Sequence, residues 1–234
     1  MQTKDVSHTP AVMAQALLVC GAIAGPLFTV AWFVEGATRA EYNPLRHPIS
    51  SLALGDGGWM QACTFLITGL LMLAYAFGLR RVLQAREGAT WGSLLIGAVG
   101  IGLFGAGLFA TDPLNGYPPG TPDMPLSYSV QGNLHVLFSA PVFLGLPAAC
   151  FVFAWIFTRW GEHKWAIYSV VTGIAFLLMF VLASAGFAQV EGLVNHAGLF
   201  QRITLTIGWA WLTLLAVYML KISSGNNNNG KRTA

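Results

Sequence analysis

Six stretches of this 234-residue chain run for about 20 residues or more with almost no charge, at 11–34, 59–79, 91–110, 134–157, 165–188 and 199–220. A bilayer core takes about 20 apolar residues per helix, whereas a barrel strand needs only about 10. In lipid every backbone polar group must be satisfied within the structure, which a helix does on its own. The fold class that follows is all-α, a polytopic membrane protein built as a six-helix transmembrane bundle. Composition agrees: 55% of residues are hydrophobic and 9% charged, where a soluble domain carries about 25% charged residues. So little charge cannot cover a soluble surface. A soluble enzyme, a disordered chain and a nucleic-acid binder are excluded.

Residues 1–10 read as a cytoplasmic tail, 11–222 as the six-helix domain, and 223–234, with four consecutive asparagines, as a disordered cytoplasmic tail. The first apolar run is too long for a signal-peptide core and reads as a retained helix. Basic residues set the orientation. With the N-terminus inside, nine of the 12 Lys and Arg are cytoplasmic, and only Arg39, Arg46 and Arg202 lie outside. The expectation is N-in, C-in, in the cell (plasma) membrane. The outer connections, 35–58, 111–133 and 189–198, are the long ones, and long loops are where function concentrates. Six of the nine acids lie there. Cys20, Cys63 and Cys150 fall inside apolar runs and read as packing residues. Ala98, Gly102, Ala106 and Ala110 form a small-residue stripe suited to close helix approach.

Candidate site residues collect on the same outer side. They are His47 and Ser50 in Arg46-His47-Pro48-Ile49-Ser50, Asp112 after the third helix, His135 opening the fourth, Glu191, Asn195 and His196 before the sixth, and Arg202 one turn into it. Ionisable groups at membrane depth are costly and face the interior or a cavity, so helix packing is expected to gather these residues in one outer pocket. Three readings follow. In the first, His47, Ser50, Asp112, His135 and His196 line the working pocket, while Arg46, Glu191, Asn195 and Arg202 hold a lipid head group or small molecule, since arginine suits phosphate and carboxylate. The partner is then a membrane lipid, with no nucleic acid and no protein partner assigned. In the second, His47, His135, His196 and Asp112 bind Zn²⁺ in a hydrolase of lipid amides or esters, with Ser50 orienting substrate and Asp112 or Glu191 as general base. None of these histidines has a metal-type partner at i+3 or i+4. In the third, the polar residues staple long loops onto helix ends by hydrogen bonds, and there is no catalysis.

The blocks Gly25-Pro26, Tyr42-Asn43-Pro44, His47-Pro48-Ile49-Ser50, Gly69, Phe109-Ala110-Thr111-Asp112-Pro113 and Gly132-Asn133-Leu134-His135 resemble those of the domain-of-unknown-function family numbered 998. The resemblance spans about residues 11–221. It implies a bacterial or archaeal six-helix membrane protein and supplies no reaction. The layout is similar to that of the Frag-type membrane proteins linked to lipid remodelling. More distantly, a Ser, an Asp and three His at helix ends look like the alkaline-ceramidase and adiponectin-receptor superfamily of seven-helix zinc amidohydrolases. Those proteins carry two histidines four apart on a late helix, where this chain has only His196.

Overall fold

A computed structural model describes residues 8–83 and 89–232, with side chains over 12–83 and 90–224. It contains six long helices: α1 (His8–Thr38), α2 (Gly58–Leu83), α3 (Ala89–Leu108), α4 (Val130–Arg159), α5 (His163–Phe187) and α6 (Ala197–Arg232). There are no strands among the described residues. All six helices are long and apolar enough to cross a membrane. They fall within a few residues of the six apolar runs and extend beyond most of them, because helix geometry continues past the hydrocarbon until a cap or turn stops it. At α4, Ser129 caps the start by accepting from the Gly132 N–H at 2.9 Å. At its far end Gly161, with φ +75°, turns the chain off the helix. The α6 backbone is helical through Arg232, across most of the asparagine-rich stretch read from sequence as disordered. The 1–7 part of the N-terminal tail lies outside the described residues.

Each helix packs against its neighbours in the chain, and α6 returns to α1. The result is a closed ring of six antiparallel helices in sequence order. Gln15 Nε2 of α1 donates to Ser224 Oγ of α6 at 3.2 Å, at the end that carries the short connections. The long connections, 39–57, 109–129 and 188–196, cover the opposite end.

Small residues set the spacing. A Cβ added to Gly69 of α2 would stand 2.7 Å from Phe104 N and 2.8 Å from Gly100 O of α3, so these two backbones touch. Gly102, in the small-residue stripe, faces α4, where a Cβ would lie 2.6 Å from Phe138 O. In lipid such close packing replaces the hydrophobic drive between helices. Aromatic residues fill the ring. Phe28 lies tilted against Phe65 and Trp209, and Phe153 lies edge-on to Trp211. Trp211 is fully buried, and its Nε1 donates to Ser169 Oγ at 3.0 Å. Pro141 and Pro147 sit inside α4 without ending it. At the long-loop end a 3₁₀ turn, Ile49–Ala53, packs against α1, α2 and α6 with Ile49 and Leu52 buried, closing the ring like a stopper.

Candidate functional site

The stopper is held by its own sequence. In Tyr42-Asn43-Pro44-Leu45-Arg46-His47, the Leu45 N–H donates to Asn43 Oδ1 at 3.0 Å, an Asx turn that Pro44 prefigures. The His47 N–H donates to Asn43 O at 2.8 Å, and the Asn43 N–H donates to His47 Nδ1 at 2.9 Å. Nδ1 is therefore an acceptor, and the neutral ring carries its proton on Nε2. The ring lies among Tyr42 and Tyr117, at 5.5 and 5.1 Å between centroids. Arg39 donates to the Leu52 and Leu54 carbonyls at 3.1 and 3.4 Å and fixes the far side of the turn.

The loop then docks on α6. The Leu199 N–H donates to Leu45 O at 2.9 Å, and the Ile49 N–H donates to Gln201 Oε1 at 2.8 Å. Gly198 permits this contact, since a Cβ there would lie 2.5 Å from His47 O and 2.7 Å from Pro44 O. Arg202, one turn further along, is only 6% exposed. Its Nη1 donates to His47 O at 3.0 Å and to Gly198 O at 2.9 Å, and its Nη2 donates to the Tyr42 hydroxyl. The guanidinium carbon stands 5.2 Å from the Trp32 ring and 5.5 Å from the Tyr42 ring. Its Nε is buried without a hydrogen-bond partner.

Arg46 draws the three long loops together. It donates to Asn115 O at 3.1 Å, Asn195 Oδ1 at 2.7 Å and Asp123 Oδ1 at 2.6 Å. Asn115 Nδ2 returns a bond to Arg46 O at 2.9 Å, and Gln189 Nε2 donates to Asn115 Oδ1. Asn115 and Gly116 both have positive φ, the conformation an Asn-Gly pair tolerates best.

Asp112 and His135 belong to a separate junction, between α3 and α4. Asp112 Oδ2 accepts the Ser129 N–H at 2.9 Å, at the start of α4. Gly132 makes room for that carboxylate, whose Oδ2 would lie 1.9 Å from a Cβ at this position. His135 Nδ1 sits 3.1 Å from Ala106 O and 2.8 Å from Phe109 O, at the end of α3, where helix carbonyls lack partners. Between the two groups, under Ile49 and Ser50, lies a cavity of about 30 Å³ lined by Ser50, Ser139 and Gln201 together with Phe28, Phe65 and Leu205. That is room for about one water molecule.

A family model described as "Protein of unknown function (DUF998)" matches residues 22–218. The chain belongs to the DUF998 family. No curated protein and no solved structure matches it.

In this DUF998 protein the residues expected in a single pocket are divided. His47, Arg46, Asn195 and Arg202 bind the long loops to α6, Asp112 and His135 clamp α3 to α4, and Ser50 faces the small cavity. Glu191 and His196 are exposed, the latter with its ring 6.5 Å from that of Phe200. The expected zinc set is not assembled: no three His, Cys, Asp or Glu side chains among the described residues come together as a metal site. The cause is local. His47 spends its Nδ1 lone pair on a backbone N–H, Asp112 Oδ2 takes the Ser129 N–H at the start of α4, and His196 lies exposed in another loop. Sequence reasoning missed Tyr42, Asn115, Asp123, Tyr117 and Gln201 as members of the network. The Asn-Gly pair at 115–116 is the one local signal that marks a structured turn there.

Burial, and then the neighbouring Arg46 charge, hold the His47 imidazole below its usual value of 6.5, against a hydrogen bond with the Asn115 backbone. The unfolded chain therefore takes up a proton at this residue before the folded one does. Stability is full above pH 6.5 and falls as the pH drops below it. Melting measured in detergent should be flat from about pH 8 to 7 and decline below about 6.5, and His47→Gln should flatten the decline. An unchanged slope in the variant assigns the titration elsewhere.

Proposed function

We propose that this membrane protein binds an anionic group, a lipid head-group phosphate or a small free anion, at Arg202 on the long-loop end. The observation that carries the reading is the state of the guanidinium. It is buried, and no carboxylate among the described residues lies within ion-pair distance of it. The nearby acid, Glu35, stands 3.7 Å from Arg39 instead. Tyr42 does not neutralise the charge, because burial pushes its phenol up to about 12 and keeps it protonated. A charged group at membrane depth with only neutral partners marks a functional position. Arginine's planar fork matches phosphate and carboxylate oxygens, and Trp32 and Tyr42 provide the flanking aromatic faces. On this reading the protein sits in the plasma membrane, N-in and C-in, with the Arg202 end outside. No reaction is required of it.

The test uses the full-length protein in nanodiscs of phosphatidylcholine. Melting is followed while inorganic phosphate or a short-chain phosphatidylglycerol is added. A ligand held 100-fold above its Kd stabilises by about 2.7 kcal/mol, and Arg202→Met should abolish the shift. Phosphate alone acting identifies a free-anion site, and phosphatidylglycerol alone a lipid site. If neither stabilises the wild type, or both stabilise the variant equally, the proposal fails. The three-loop network of Arg46 favours a second reading, in which the outer layer is purely a clamp. That reading expects lost stability in the variant and no ligand shift in either protein.

A further inference from the structure

The opposite end of the ring holds a different feature. On its membrane-facing flank, toward the short-connection end, α2 and α3 part to leave a groove of about 370 Å³. Phe77, Leu94 and Ile101 form its walls, each more than half exposed. Ala76, Gly97 and Ala98 form its floor. Arg80 closes one end, with its Nη1 donating across the groove to Thr90 Oγ1.

Length, volume and charge each bear on the occupant. From Thr90 to Ile101 the groove follows α3 for about 16 Å, at 1.5 Å per residue. That is about half of a 30 Å hydrocarbon core, the depth of one leaflet. A groove of this length and volume is narrow enough to take a single extended acyl chain along its floor. In sequence, residues 80–90 carry three basic residues, Arg80, Arg81 and Arg86, against one acid, Glu87. No carboxylate among the described residues lies within ion-pair distance of Arg80 or Arg81. The groove on the other flank of α3, lined by Trp91, Phe151, Val152 and Trp155, lacks this combination, because the nearby Arg159 guanidinium is stacked over Trp155 at 5.2 Å.

We propose that the α2–α3 groove is a docking site for an anionic glycerophospholipid, with one acyl chain along Gly97 and Ala98 and its phosphate on Arg80. This site is separate from Arg202, at the other membrane boundary, and does not depend on that reading.

The test is native mass spectrometry of the full-length protein released from micelles carrying phosphatidylglycerol or phosphatidylcholine of equal chain length. The wild type should retain phosphatidylglycerol about fivefold over phosphatidylcholine, the preference expected from one basic residue at the surface. Arg80→Gln should bring the two lipids to parity, and Arg80→Lys should keep the preference. Gly97→Leu should remove both lipids. Gly97 lines the groove, and a Cβ there meets only Ala76 Cβ, at an ordinary contact distance of 3.6 Å. Should Gly97→Leu fail to fold, the Arg80 pair decides alone. Equal retention of the two lipids by the wild type overturns the proposal. So does a preference that survives Arg80→Gln, or a Gly97→Leu variant that keeps its lipid but changes oligomeric state, which would make the groove a contact between copies.

Discussion

Arg202→Ala destabilises the protein by about 3 kcal/mol, while Arg202→Met costs less than about half as much. The two variants separate what Arg202 holds from what its charge costs. Alanine removes the bonds to His47 O, Gly198 O and the Tyr42 hydroxyl, and with them the stem that packs under Trp32. A hydrogen bond to a charged group contributes about 1.5–3 kcal/mol. The three are not additive, since His47 O also accepts from Tyr42 at 3.3 Å and is not orphaned. Methionine loses the same bonds but keeps most of the volume, and it abolishes the burden of an unpaired buried charge. Replacing buried charge by apolar volume is often neutral or stabilising. Equilibrium unfolding in mixed micelles reads both values. Equal losses in the two variants would mean that the charge itself stabilises the fold, and a loss under about 1 kcal/mol in both would remove Arg202 from the structure's main supports.

Gly69→Val should cost about 3 kcal/mol or more. The added Cβ meets backbone atoms, Phe104 N at 2.7 Å and Gly100 O at 2.8 Å, and no rotamer change can clear them. The helices must separate, and the contacts between α2 and α3 are lost along their length. Gly97→Ala is the control on the same helix pair. Its Cβ meets a methyl at an ordinary 3.6 Å, and alanine is the better helix former, so stability should be unchanged or gain up to about 1 kcal/mol. Melting temperature in one detergent compares the two directly. A Gly69→Val protein that melts with the wild type would show that α2 and α3 do not need their present spacing.

The six helices were legible because the bilayer imposes one rule, length and apolarity, that needs no knowledge of partners. Arg202 was legible for a related reason, as a charge inside an apolar run. The single outer pocket was not. Residue types and loop lengths place His47, Asp112 and His135 at one end, but the partner of each is a backbone group. Asp112 caps a helix whose Gly132 makes room for it, and His135 takes carbonyls that α3 leaves open. Neither interaction has a signature in hydropathy. The His47 box lies within five residues, and Asn43-Pro44 marks its turn, yet the acceptor role of Nδ1 emerges only from the folded geometry.

The ring carries a temporal consequence. Every helix has its two neighbours beside it in the chain except α1 and α6, so five of the six seams can form as soon as the next hairpin exists. The sixth waits for α6. The segment that must seat in the mouth of the ring, residues 43–49, takes its hold from Leu199, Gln201 and Arg202, which are made about 150 residues later. Until then that loop rests on α1 and α2 without its hold on α6, so the closing of the ring and the locking of its plug both wait for the same helix.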